Sequence, residues 1–298
     1  MERVLHITSG DMAGGSLVKS GLSGEVFVWH DILYDGPRNP GWPHEGTLDA
    51  RALFLERTTG GGLDKAYVLE TLRNQYQTLI SATDYECIVL WFDACLFDQS
   101  MLAHVLTCLH LQGVLDAELL CVDKFPGIEP FHGLGQLRPE QLASLYGNRR
   151  PVTNAQFRFA ALVDKAFANQ DMGLFTELSQ MWEAPLPWIP AAVVRLLKEK
   201  PDPATGLGKL EHLALQAIRA GHATPGQIFA AVAAADTPPR FWGDTTLWAK
   251  INALADRVSP FVRIEGPADR LPQWKSEVPL KDFRITALSK TEIAQESR

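Results

Sequence analysis

Four short apolar runs in the first half of the chain each end on an aspartate. Val4-Leu5-His6-Ile7-Thr8 leads through Ser9-Gly10 to Asp11, Val26-Phe27-Val28-Trp29 to Asp31, Cys87 through Phe92 to Asp93, and Leu119 through Val122 to Asp123. Between them lie stretches with apolar residues at helical spacing: Leu69, Leu72, Tyr76, Leu79 and Ile80, then Met101, Leu102, Val105, Leu106 and Leu109. Alternating strand and helix periods predict βαβ units and an α/β fold with a mainly parallel sheet flanked by helices. In such a sheet the four carboxylates gather at the carboxyl ends of the strands, the edge where open α/β sheets bind ligands.

Charge and cysteine usage narrow the function classes. The net charge of −7 disfavours general attraction to nucleic acid or anionic membrane. It is carried by the N-terminal part, because from Gly206 onward twelve Lys and Arg face ten Asp and Glu. The four cysteines, Cys87, Cys95, Cys108 and Cys121, have neither C-x-x-C spacing nor a nearby histidine pair, which predicts reduced thiols in a cytoplasmic protein. No apolar stretch approaches the roughly 18 residues of a membrane span, and Met1-Glu2-Arg3 opens no export signal.

Three segments follow. Residues 1–150 form the α/β domain with a ligand crevice, 151–205 a helical connector, and 206–298 a winged-helix-like module of three short helices and a β-ribbon. Pro and Gly density in 200–208 marks the last boundary. Two loops, Tyr34–Pro43 and Phe125–Leu137, follow the second and fourth strands, and the first reads as a wall or lid of the crevice.

The crevice supplies the candidate chemistry. Thr8, Ser9, Gly10, Gly14 and Gly15 suit a loop that offers backbone N–H groups to a phosphate, with a helix starting near Ala13 behind it. Asp11 serves there either as a ligand group or as that helix's N-cap. Asp11 and Asp31 are the first choices for catalysis and for a Mg²⁺ ion, which takes one or two carboxylates plus water, and His30 is a proton shuttle beside them. Asp93 is a further acid at the same edge. Trp29 and Trp91 either stack on a flat ligand or pack the core. Asp98 and Gln99 reach the edge from the next helix, Asp98 alternatively as its N-cap, and His132 reaches it from the second loop.

His6-Ile7-Thr8-x-Gly10-Asp11, Gly21-Leu22-x-Gly24-Glu25-Val26, Trp29-x-Asp31-x-Leu33-x-x-Gly36-Pro37, Leu90-Trp91-Phe92, Asp98-Gln99 and Gly133-Leu134-Gly135-Gln136-Leu137 together resemble the bacterial domain of unknown function 1835. The tail, with Thr205-Gly206-Leu207-Gly208, Glu211 and Phe241-x-Gly243-Asp244, resembles the domain commonly fused to it. The chain departs from that pattern at Asp93-Ala94-Cys95 and at His30, where an arginine is usual. The resemblance implies no particular activity.

Three functions stay open on the sequence. The first is an enzyme or binding protein for a small phosphorylated or polar metabolite. The second is a ligand-sensing regulator whose module reads DNA through Lys250 and Arg257. The third is an adaptor or homodimer that docks through the module and Trp242 or Trp274. Nucleic acid is the weaker partner, because the module's third helix has no basic stripe.

Overall fold

The computed structural model describes residues 3–275 and 277–288, and the chain divides into two compact units. The first comprises residues 3–54, 65–196 and 238–241, the second 55–64, 197–237 and 242–288.

In the first unit Val4–Ser9 (β1), Glu25–Trp29 (β2), Cys87–Asp93 (β3), Ala117–Val122 (β4) and the two-residue Arg150–Pro151 (β5) form one sheet in the order β2-β1-β3-β4-β5. The first four strands are parallel and β5 runs antiparallel to β4. This is the expected α/β architecture. Every residue of β1 is buried, as parallel strands covered on both faces must be. Asp11–Val18 (α1), Glu45–Thr58 (α2), Lys65–Ile80 (α3) and Leu96–Leu111 (α4) connect the strands. Pro139–Leu145 (α5), Asn154–Asn169 (α6), Met172–Ser179 (α7) and Ile189–Glu199 (α8) follow β4.

Strand order reverses between β1 and β3. From β1 the chain steps to β2 on one side, and from β3 to β4 on the other. Right-handed crossovers then put α1 and α4 on opposite faces. Accordingly α1 packs with α5 and the short turn Leu134–Gln136, while α4 lies against α6. On the α1 face Ala13, Leu17, Val89, Trp91, Leu134 and Leu142 share one core. The segment 151–205, expected as a connector, is divided: through Leu196 it belongs to the first unit, beginning with α6 on α4.

The proline-rich loop after β2 is pinned rather than lid-like. Arg51, on α2, donates from Nε to both carboxylate oxygens of Asp31, at 2.8 and 3.0 Å. Its Nη1 reaches the carbonyls of Asp35 and Pro37 at 2.8 and 3.2 Å, and Nη2 that of Ile32. Farther along, Arg38 pairs with Asp164, whose other oxygen accepts Gly41 N–H at 2.6 Å. His104 Nδ1 meets Asp164 at 3.0 Å and its Nε2 meets the Tyr76 hydroxyl at 2.7 Å. Burial opposes the Asp164 charge, but His104 and Arg38 outweigh it and hold the carboxyl below its ordinary range.

The second unit contains Lys209–Arg219 (α9), Pro225–Ala235 (α10) and Asp244–Ala255 (α11), then the antiparallel pair Val262–Glu265 (β6) and Arg284–Ala287 (β7). Thr224 caps α10 through Gln227 N–H, with Pro225 in the first turn. Of the residues expected to contact partners, Lys250 and Arg257 are half-buried and Trp242 is buried. Lys250 and Arg257 approach Glu211 at 4.0 and 3.9 Å, and Arg257 also donates to the Gly206 carbonyl at 2.8 Å. Trp242 is buried, with Nε1 donating to Asp236 at 2.8 Å. Of the proposed docking residues only Trp274 remains exposed. No helix among the described residues is long and apolar enough to cross a membrane.

Removing one partner of a buried ion pair strands the other charge. Arg51→Ala is therefore expected to cost about 3–5 kcal/mol of unfolding free energy, read from urea denaturation. A loss below about 1 kcal/mol, the scale of an exposed pair, would show that Asp31 does not depend on Arg51.

Candidate functional site

At the carboxyl ends of β1 and β3 the turn at Gly10 meets the first turn of α4. β1 passes into α1 through Gly10 alone, at φ 71°, a conformation that favours glycine. There is no extended phosphate loop. Thr8 and Ser9 are the last residues of β1, and Gly14 and Gly15 lie inside α1. Gly14 has a packing role, because a Cβ there would run into Val28 of β2. Asp11 is the first helical residue rather than the cap, which is Gly10. Likewise Cys95, not Asp98, caps α4, its Sγ accepting Asp98 N–H at 3.4 Å.

Asp98 joins the two strand ends. The Ser9 hydroxyl donates to Asp98 Oδ1, and Asp93 N–H donates to Oδ2 at 2.7 Å. Asp93 accepts Cys95 N–H on Oδ1 at 2.9 Å and Leu134 N–H on Oδ2 at 3.2 Å. Gly133 must lack a side chain, since a Cβ would collide with Asp93 Oδ2. Gln99 Nε2 donates to the Asp93 carbonyl at 2.6 Å and meets Cys121 Sγ at 3.3 Å. Gln99 Oε1 and Thr8 Oγ1 are buried without a hydrogen-bond partner.

Burial, and then the Asp93 charge, push the Asp98 carboxyl well above its ordinary range. Burial raises Asp93 too, against the N–H groups that favour its charged form. Burial, reinforced by Asp93 and Asp98, also pushes the Cys95 thiol up, so it is not an activated nucleophile. Asp93, Cys95 and Asp98 are the one group among the described residues with ligand atoms spaced for a metal ion, all within 4.8 Å. Mg²⁺ takes a shell of oxygen ligands completed by water, and this buried set offers it a thiol in place of one.

The four strand-end aspartates have different fates. Asp31 and Arg51 are 0% and 3% exposed and fully engaged with each other, so Asp31 is neither a catalyst nor an open metal ligand. Asp123 is exposed and accepts Trp188 Nε1–H at 3.4 Å. Asp93 is sealed in the crevice floor. Asp11 alone faces solvent with a titratable partner: His30 Nε2 lies 2.7 Å from its Oδ1, with side chains 47% and 87% exposed for His30 and Asp11. The His30 backbone is clamped on both sides by the Gln75 amide, N–H to Oε1 and carbonyl to Nε2 at 3.2 Å.

Trp29 and Trp91 are core residues with no exposed face for a ligand. Trp29 sets its edge against Tyr76 at 5.1 Å, and Trp91 stacks on Tyr146 at 6.1 Å and 11°. Trp91 Nε1 donates to His6 Nδ1 at 3.1 Å, which leaves His6 Nε2 to donate to the Ser23 carbonyl at 3.2 Å. That arrangement requires a neutral His6, consistent with burial lowering its pKa. His132 is half-buried in the second loop, its N–H donating to Gln136 Oε1. Arg51, which seals Asp31, is absent from the residues singled out in the sequence. No local signal marks Arg51, which lies twenty positions after Asp31.

No protein-family model matches the chain, and no curated protein matches its sequence.

A carboxyl whose pKa is raised by folding favours the native state while it keeps its proton, and that contribution is lost as pH rises through the folded-state value. Asp98→Asn keeps the shape without the proton. Its stability relative to wild type should therefore increase as pH rises from about 4, the ordinary carboxylate value, to neutrality. Asp98→Ala should lose roughly 1–3 kcal/mol at neutral pH by leaving buried groups unpaired. Parallel pH profiles for wild type and Asp98→Asn in urea denaturation would contradict the raised carboxyl.

Proposed function

We propose that the first unit binds, and exchanges a proton with, a small polar or phosphorylated metabolite at the carboxyl ends of β1 and β2, with His30 as the acid or base and Asp11 orienting it. The observation that carries this reading is the exposed His30–Asp11 pair at 2.7 Å. It stands on the sheet edge where α/β ligands bind, beside the N-terminal turn of α1, whose free N–H groups favour an anionic group. An imidazole oriented by a carboxylate and open to solvent is the usual composition of a general acid–base pair. Arg51 withdraws Asp31 from the site, so the chemistry assigned to Asp11 and Asp31 together passes to Asp11 and His30.

The resemblance to the domain of unknown function 1835 belongs to the same proposal. Two of the motifs that carry it, His6 to Asp11 and Trp29 to Pro37, run through this edge. A DNA-reading role has less support, since Lys250 and Arg257 both approach Glu211.

A ligand at a hundred times its Kd stabilises the native state by about 2.7 kcal/mol. A thermal-shift screen of polar and phosphorylated metabolites should yield such a ligand. Asp11→Asn and His30→Ala should abolish or sharply reduce its shift. Each should leave the unliganded melting temperature close to wild type, because both side chains are exposed. A shift that survives both substitutions would refute the site, and a screen without any shift would refute the metabolite.

A further inference from the structure

The parallel register between β1 and β2 ends at the pair Ser9 and Trp29. The next residue, His30, is bonded to a side chain: Gln75 Oε1 accepts its N–H, and Gln75 Nε2 donates to its carbonyl at 3.2 Å. A primary amide carries the same donor and acceptor as a peptide group. One side chain therefore satisfies both backbone groups of His30, as a neighbouring strand would. Gln75 is 3% exposed and precedes Tyr76 in α3, whose ring meets that of Trp29 edge-on at 5.1 Å. α3 thus fixes two successive residues, Trp29 through a ring and His30 through its backbone.

The His30 imidazole has less to hold it. Its side chain is 47% exposed, so packing alone does not select its rotamer, and exposed side chains exchange rotamers rapidly. Its polar contact is Asp11 Oδ1, 2.7 Å from Nε2, on a side chain that is 87% exposed. An exposed pair of this kind is weak, because ordering two free side chains offsets most of their attraction. With the His30 backbone held, only the two ring torsions and the Asp11 carboxylate remain to be ordered, and the same contact is made at lower entropic cost.

We infer that Gln75 is the positioning residue of the His30–Asp11 pair. It acts through His30: the amide holds the backbone, and the backbone holds the imidazole within hydrogen-bond reach of Asp11. A group that exchanges a proton needs that reach, and a site held from a helix is more precise than one left to a loop. The functional weight of this inference rests on the proposed reading of His30 as the acid or base. The positioning itself is measurable without any ligand.

NMR of the unliganded, isotope-labelled full chain tests it, through ring carbon relaxation of His30 and the nuclear Overhauser effect between its ring and the Asp11 β-protons. The buried rings of His6 and His104 serve as internal references. Gln75→Met keeps the length of the side chain and removes both hydrogen bonds. It should abolish the contact to Asp11 and lower the order parameter of the His30 ring below about 0.6, the range of flexible groups, with His6 and His104 unchanged. Gln75→Glu keeps an acceptor for the His30 N–H and offers its carbonyl no donor; it should weaken the contact, and it decides the matter if Gln75→Met does not fold. An undiminished contact and ring order in the folded variant would overturn the inference. So would a loss of order that His6 and His104 share, which marks Gln75 as a general packing residue. A metabolite screen without any shift would refute the ligand and leave this role of Gln75 standing, whereas an unmoved His30 ring refutes the role of Gln75 alone.

Discussion

One side chain joins the carboxyl ends of the two central strands. Asp98 takes the Ser9 hydroxyl from β1 and the Asp93 N–H from β3, while standing in the first turn of α4. The start of a helix favours a negative charge, by about 0.3–1 kcal/mol at the surface and up to about 2 in partly buried geometry. Taking an unpaired carboxylate out of water costs several kcal/mol, and Asp93 adds repulsion. Burial outweighs the helix, and the Asp98 carboxyl is pushed well above its ordinary range. Asp98 thereby links the ends of β1 and β3 to the first turn of α4.

Elsewhere the first unit resolves the same problem with cations. Asp31 is sealed against Arg51 and Asp164 against Arg38 and His104. Each pair holds the proline-rich loop to helices far away in sequence. In the first unit the buried carboxyls that meet a guanidinium, Asp31 and Asp164, anchor the loop, and burial raises the pKa of two that do not, Asp93 and Asp98. Asp11 and His30 fall under neither, since both side chains are exposed.

The architecture was largely legible in the sequence because period carries it. Apolar runs and helical spacing marked β1 to β4, α3 and α4. The strand-end aspartates were correctly placed on one edge, but their roles were not separable from local pattern. Asp31 looks like Asp11 until Arg51 is known to lie on it, and that contact spans twenty residues without a local mark. Gly14 read as a loop residue because glycine is equally at home where a backbone meets a phosphate and where a helix meets a strand; the proximity of Val28 decides it. Lys250 and Trp242 read as exposed because a single sequence does not show which face of a helix or turn meets Glu211 or Asp236.

The upward shift of the Asp98 carboxyl is tested directly by carboxyl carbon chemical shifts followed by NMR from about pH 3 to 8, with Asp98→Asn supplying the assignment. A free carboxylate changes state near pH 4. The Asp98 signal is expected to keep its protonated shift above that pH and to titrate together with Asp93, since the two share the cost of one charge. An Asp98 signal already ionised at pH 4 to 5, independent of Asp93, would contradict it.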